Sequence, residues 1–153
     1  MNDFRYDFLN IFDRHISAGI IEFGKKLSNT NADVFILMAR KAACFTECLE
    51  ELGLVKLQGH VTTDRVLDMK LDWLKGKNVV IIDDAIVSGT TIFETINTLK
   101  NAEVKSIKVI VMCVNKDWYK EELLIDDLSQ ESYLEEPFMK LKNKECIKLC
   151  SDI

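Results

Sequence analysis

The stretch VVIIDDAIVSGTTI, Val79 to Ile92, decides how the rest of the chain reads. Its first four residues are apolar and β-branched with no polar alternation, the composition of a strand covered on both faces. Two carboxylates, Asp83 and Asp84, end that strand. A short turn with Ser88, Gly89, Thr90 and Thr91 then opens a segment, Thr91 to Lys100, whose apolar positions recur at helical spacing. In an open α/β sheet, ligands bind outside the carboxyl ends of the strands. Asp83 and Asp84 are therefore expected on the floor of a crevice, where they would accept hydrogen bonds from sugar hydroxyls. Gly89 lets the backbone approach a ligand closely, and the hydroxyls of Ser88, Thr90 and Thr91 stand beside the free N–H groups of a helix start, a cradle for phosphate.

Outward from this stretch the same alternation continues. Val34 to Ala39 is a second unbroken apolar run, preceded by turn chemistry at Asn29 to Asp33, and Ile107 to Val114 is a third. Between them, Ala43 to Leu52 reads as a helix stopped by Gly53, and Leu54 to Leu57 as a short strand closed by Gly59. Val61 to Leu74 has no clean period and reads as a loop or mobile segment. Doubly covered strands separated by helices predict an α/β fold: an open, mainly parallel sheet with helices on both faces. Upstream, Phe4, Phe8, Ile11 and Phe12, then Ile16, Ile20, Ile21 and Leu27, predict a helical arm over residues 1–28, with Ser17 as a cap between two helices. The core spans 34–114. Residues 115–153 read as an acidic, mostly helical tail, with Pro137 breaking it before a last helix from Phe138. Cys146, Ile147, Leu149, Cys150 and Ile153 carry that helix to the end of the sequence without a cap, so the native chain is expected to continue beyond Ile153. The whole is expected to form a single domain.

Composition narrows the partners. The 153 residues carry a net charge of −5, which provides no chain-wide positive field for a polyanion, so general nucleic-acid binding is disfavoured. The acidic start MNDFRYDF lacks the features of a signal peptide, and no apolar run approaches membrane-spanning length; a cytoplasmic protein without membrane attachment is expected. Five cysteines, an odd count, fit reduced thiols. Cys44 with Cys48 and Cys146 with Cys150 lie one helical turn apart, yet the spacing is not that of a zinc module and buried small hydrophobes are the stronger reading. His15 and His60 have no partner at catalytic spacing. The apolar arm with Phe4, Phe8 and Phe12 is a candidate homodimer surface, core burial being the equal alternative.

An apolar strand, two acidic residues, a few spacers and a Ser/Thr-Gly-x-Thr turn resemble the type I phosphoribosyltransferases, and Val79 to Thr91 matches that hallmark closely, with Ala85 standing where a larger aliphatic is usual. The resemblance covers about residues 34–114. It implies that Asp83 and Asp84 hold the ribose hydroxyls of 5-phosphoribosyl 1-pyrophosphate (PRPP) and assist catalysis. Ser88, Gly89, Thr90 and Thr91 would bind its 5-phosphate, and Mg²⁺ would be held by the ligand and water rather than by protein side chains. The family's pyrophosphate loop falls on Arg40, Lys41 and Ala42, where Lys and Ala replace a Gly pair; a strained backbone at such residues costs about 1 to 3 kcal/mol. Thr63, Asp64 and Arg65 lie where the family's flexible loop does, with Arg65 a further pyrophosphate contact.

Trp118 and Tyr119, beyond the third strand, are candidates to stack on an acceptor base, with Lys116 or Asp117 reading its edge; surface aromatics packed on the last helix are the bland reading. Neither a nucleotide hydrolase nor a receiver-type phosphoacceptor competes. No G-x-x-x-x-G-K-[ST] loop exists in the chain, and Asp117 is a poor match for the second aspartate a receiver needs. Two functions stay open: a PRPP-dependent transferase acting on a small-molecule acceptor, or a catalytically degenerate PRPP-binding or regulatory module of a larger bacterial system.

Overall fold

A computed structural model describes residues 10, 12, 14–38, 40–57, 60–62, 70–117 and 139–152. Helix α1 (Arg14–Ser28) leads into strand β1 (Val34–Leu37), helix α2 (Lys41–Glu51) and strand β2 (His60–Thr62). A 3-10 turn (Asp72–Leu74) precedes strand β3 (Asn78–Ile86), helix α3 (Thr90–Asn101) and strand β4 (Ser106–Asn115). Strand β5 (Met139–Leu141) and helix α4 (Asn143–Asp152) close the described chain. The five strands form one sheet in the order β2-β1-β3-β4-β5, and every neighbouring pair is parallel. The predicted open parallel sheet is thus observed.

Helices cover both faces because the strands are apolar on both. Val34, Ile36, Val79, Ile81, Val109 and Val111 pack with Ile92, Ile96 and Leu99 of α3. On the other face Phe35, Leu37, Val80, Ile82 and Ile110 meet α1 through Ile20, Phe23 and Leu27, α2 through Phe45 and Leu49, and α4 through Cys146 and Leu149. Phe23 and Phe45 join α1 to α2 with their ring centroids 5.6 Å apart and tilted by 59°, a pairing worth about 0.5 to 1.5 kcal/mol beyond area burial. At the amino end of the sheet, the Asn78 N–H donates to Asp33 Oδ2 at 2.8 Å and the Ser106 hydroxyl to Asn78 Oδ1 at 2.6 Å, which pins the starts of β1, β3 and β4 together.

Several boundaries differ from the sequence expectation. Leu54 to Leu57 is not a strand: Val55 and Leu57 are buried as packing under α1, and the edge strand is instead His60–Thr62, registered on Phe35 to Leu37. Ser17 does not separate two helices, since α1 runs unbroken from Arg14 and Ile16, Ile20, Phe23 and Leu27 form one continuous stripe on the core. Met139–Leu141, expected in the last helix, is an edge strand with Met139 and Leu141 buried and Lys140 exposed. Three residues are too few for periodicity to reveal; pairing with Cys113 to Asn115 creates the strand. Phe12 is buried in the core, which takes it out of the proposed dimer surface; Phe4 and Phe8 lie outside the described residues. No helix among the described residues is long and apolar enough to cross a membrane.

Candidate functional site

The carboxyl ends of β1 and β3, the turn after β3 and the starts of α2 and α3 meet at one end of the sheet. Ser88, Gly89 and Thr91 line a pocket there of about 190 Å³ together with Asp83, Ala85, Ile86, Val87 and Ile92. Gly89 is the N-cap of α3 and takes φ +78°, ψ −7°, the left-handed region that L side chains enter only with strain. No side chain caps this helix, so the N–H groups of its first turn are left for a ligand. The helix dipole adds positive potential at the same place, which favours an anion. Ser88, Thr90 and Thr91 are exposed.

The two acids differ in exposure, although their carboxyls stay close enough to interact. Asp83 opens into the pocket, its Oδ1 accepting the Asp84 N–H at 2.8 Å. Burial, then the adjacent Asp84 carboxyl, push its pKa well above the ordinary carboxylate range, against the opposing pull of that N–H bond and of the Lys41 ammonium. Asp84 is 3% exposed, with Oδ2 buried and without a hydrogen-bond partner. Its surroundings are thiols. Cys113 donates to the Asp84 carbonyl at 3.6 Å, and its pKa is raised by the neighbouring Cys146 thiol and by burial. Cys150 rises to about 12, mainly through burial and then through Asp84. Cys146 moves the other way, lowered chiefly by its contact with the Cys113 thiol.

The residues expected to bind pyrophosphate stand at the start of α2. Arg40 is the N-cap of α2 at φ −100°, ψ −22°, and both Arg40 and Lys41 are exposed. Ala42 is fully buried, and its N–H donates to the Met38 carbonyl at 3.1 Å. Its amide is therefore engaged within the chain. The Lys41 ammonium donates to the Cys150 carbonyl of α4. Arg65, Trp118 and Tyr119, with Thr63 and Asp64, lie outside the described residues. Cys44 is exposed on α2, apart from the thiols under Asp84, and among the described residues no group of three His, Cys, Asp or Glu side chains is arranged to hold a metal ion.

Two contributors were not singled out in the sequence. Asn115, at the end of β4, donates from Nδ2 to the Val87 carbonyl at 3.5 Å and accepts the Asp117 N–H at 3.2 Å, tying the turn after β3 to the neighbouring strand. A polar residue closing an apolar run was the available signal. Helix α4 is the other: its cysteines stood out in the sequence, but not their place beneath Asp84.

Comparison with known proteins agrees with this fold. The fold is shared with a hypoxanthine-guanine-xanthine phosphoribosyltransferase, 21% identical, over 82% of this chain and 73% of that one at a TM-score of 0.54. A hypoxanthine-guanine phosphoribosyltransferase from Bacillus anthracis is 15% identical over 82% of this chain and 81% of its own, at a TM-score of 0.54. UMP synthase from Leishmania donovani is 22% identical over 77% of this chain and 25% of its own, at 0.52. No curated protein matches the sequence. Residues 51–133, more than half of the chain and including the whole strand, acid pair and Ser/Gly/Thr turn, match the phosphoribosyl transferase domain, and the chain belongs to that family.

Proposed function

We propose that this chain binds PRPP together with Mg²⁺ and transfers its phosphoribosyl group to a nitrogenous base or related small acceptor in the cytoplasm. One observation carries the reading: a single pocket of about 190 Å³ holds both the Asp83 carboxylate and the Gly89-capped start of α3. A phosphorylated sugar needs that combination, hydroxyl acceptors at one end and amide donors at the other. The amides of the first turn of α3, with the Ser88, Thr90 and Thr91 hydroxyls, would take the 5-phosphate. Asp83 and, once reached, Asp84 would hold the ribose hydroxyls, and Arg40 and Lys41 the pyrophosphate. Oxygen-rich groups of this kind suit Mg²⁺, and the ion, when bound with PRPP, supplies charge neutralisation to the pyrophosphate. As the bond to pyrophosphate loosens, positive charge grows on the ribose ring; a fixed Asp83 carboxylate beside it favours that state more than the ground state.

The acceptor stays a class rather than a name. Fold neighbours include a Leishmania tarentolae phosphoribosyltransferase solved with GMP as well as the UMP synthase, so the shared fold serves more than one base. A second reading, PRPP binding without turnover, is favoured by the engaged Ala42 amide and the covered Asp84.

Calorimetric titration with PRPP, with and without Mg²⁺, tests the site, with Asp83→Asn/Asp84→Asn as the control. A ligand of the native state raises its melting temperature by mass action. Magnesium-dependent binding lost in the control is expected; no binding up to millimolar PRPP refutes the site. Pyrophosphate release with purine, pyrimidine and nicotinate acceptors then separates transferase from binding module.

A further inference from the structure

We propose that helix α4 is an autoinhibitory latch on the PRPP site, an inference that rests on the functional reading above and concerns how the same site is regulated. Three observations place the latch. The Lys41 ammonium, one of the two cations at the start of α2, is held by the Cys150 carbonyl in the last turn of α4. The final carbonyls of a helix have no intrahelical partner and carry the negative end of its dipole, so a lysine there is a favourable cap. While Lys41 caps α4 it is not available to a pyrophosphate. On the inner side of the same helix, Cys146 and Leu149 are buried in the core, and the Asp84 charge reaches Cys146 and Cys150. Helix α4 packs against β3, in which Asp84 is sealed, its Oδ2 without solvent and without a partner.

Lys41 could swing to a ligand by itself, since its side chain is exposed. Asp84 cannot reach a ribose hydroxyl unless α4 moves. The closed state also carries its own weakness: an unpartnered buried carboxyl oxygen is unfavourable and is relieved when the helix lifts. Mg²⁺-PRPP would draw Lys41 from Cys150 and reward exposure of Asp84, which shifts the population toward the open form. The apparent affinity of the resting chain is lowered by the fraction of molecules that are open.

The native cysteines report the movement. The full chain is treated with iodoacetamide with and without Mg²⁺-PRPP, and labelling of Cys146 and Cys150 is followed by mass spectrometry against exposed Cys44 as internal reference. Binding is measured in parallel by calorimetry, on this chain and on Leu149→Ala, which removes a buried anchor of α4. The latch predicts that bound ligand accelerates labelling of both thiols at least about tenfold relative to Cys44, and that Leu149→Ala binds PRPP at least about tenfold more tightly. Binding to the variant alone also supports it, as a latch closed too firmly for the ligand to open. Ligand that binds the wild type while labelling stays unchanged or slows overturns the latch and leaves the site standing. Failure of both chains to bind overturns the functional reading and the latch together.

Discussion

Replacing Gly89 by Ala tests whether the turn after β3 is shaped for a ligand or merely for a helix start. Three glycines adopt nearly the same left-handed conformation: Gly53 at φ +73°, Gly76 at φ +74° and Gly89 at φ +78°. A Cβ added at Gly53 or Gly76 meets nothing within 4 Å, so Ala there suffers only backbone strain. That strain is about 1 to 2 kcal/mol. For a chain of 153 residues, each kcal/mol lowers the melting temperature by about 2 to 4 °C. Gly53→Ala and Gly76→Ala are therefore expected to melt about 2 to 8 °C below wild type with PRPP affinity unchanged. Gly89→Ala should show a comparable loss of stability and, in addition, at least about tenfold weaker PRPP binding, because relaxing the strain turns the first amides of α3 away from the pocket and its methyl stands where the backbone must approach the phosphate. The assays are thermal denaturation and calorimetric titration of all three variants beside wild type. Equal stability losses with PRPP affinity retained in Gly89→Ala refute the assignment of this turn to phosphate; no loss of stability in Gly53→Ala refutes the strain argument itself.

Two further predictions concern the neighbours of that turn. Burial and the Asp84 carboxyl raise the folded-state pKa of Asp83 above the ordinary value of 3.8, so the stability linked to its protonated form is fully present below that value and is lost as pH rises through the raised one. Asp83→Asn, which keeps an acceptor for the Asp84 N–H, should match wild type near pH 3 and exceed its stability progressively toward neutrality in thermal melts of the ligand-free protein; a wild type that gains on the variant as pH rises contradicts this. Asn115→Ala removes the amide that donates to the Val87 carbonyl, worth about 0.5 to 1.5 kcal/mol, so PRPP affinity by calorimetry should fall about 2- to 10-fold; an unchanged affinity means the turn holds its shape without β4.

The parts of the site that one continuous segment encodes were legible in the sequence, and the parts assembled from distant segments were not. Val79 to Ile92 contains strand, acid pair, turn and helix start within a single β-α unit, and each follows from local rules: β-branched residues without alternation make a doubly covered strand, and glycine permits the left-handed cap that opens a helix. The alternation of such strands with helices also fixed the α/β class. Beyond those units, pairing decides. His60–Thr62 and Met139–Leu141 are strands because β1 and β4 offer free edges to them, and three residues carry too little pattern to announce it. Adjacent acids look equivalent in a sequence, yet the fold opens Asp83 to the pocket and buries Asp84. Arg40 to Ala42 reads as a loop by position, but Ala42 donates back to Met38 and closes a helical turn. The sequence by itself determined the chemistry available at the end of β3. Tertiary structure alone decided which of its groups are exposed, because burial, edge pairing and the reach of α4 to Lys41 across 109 positions of chain depend on contacts that no local pattern contains.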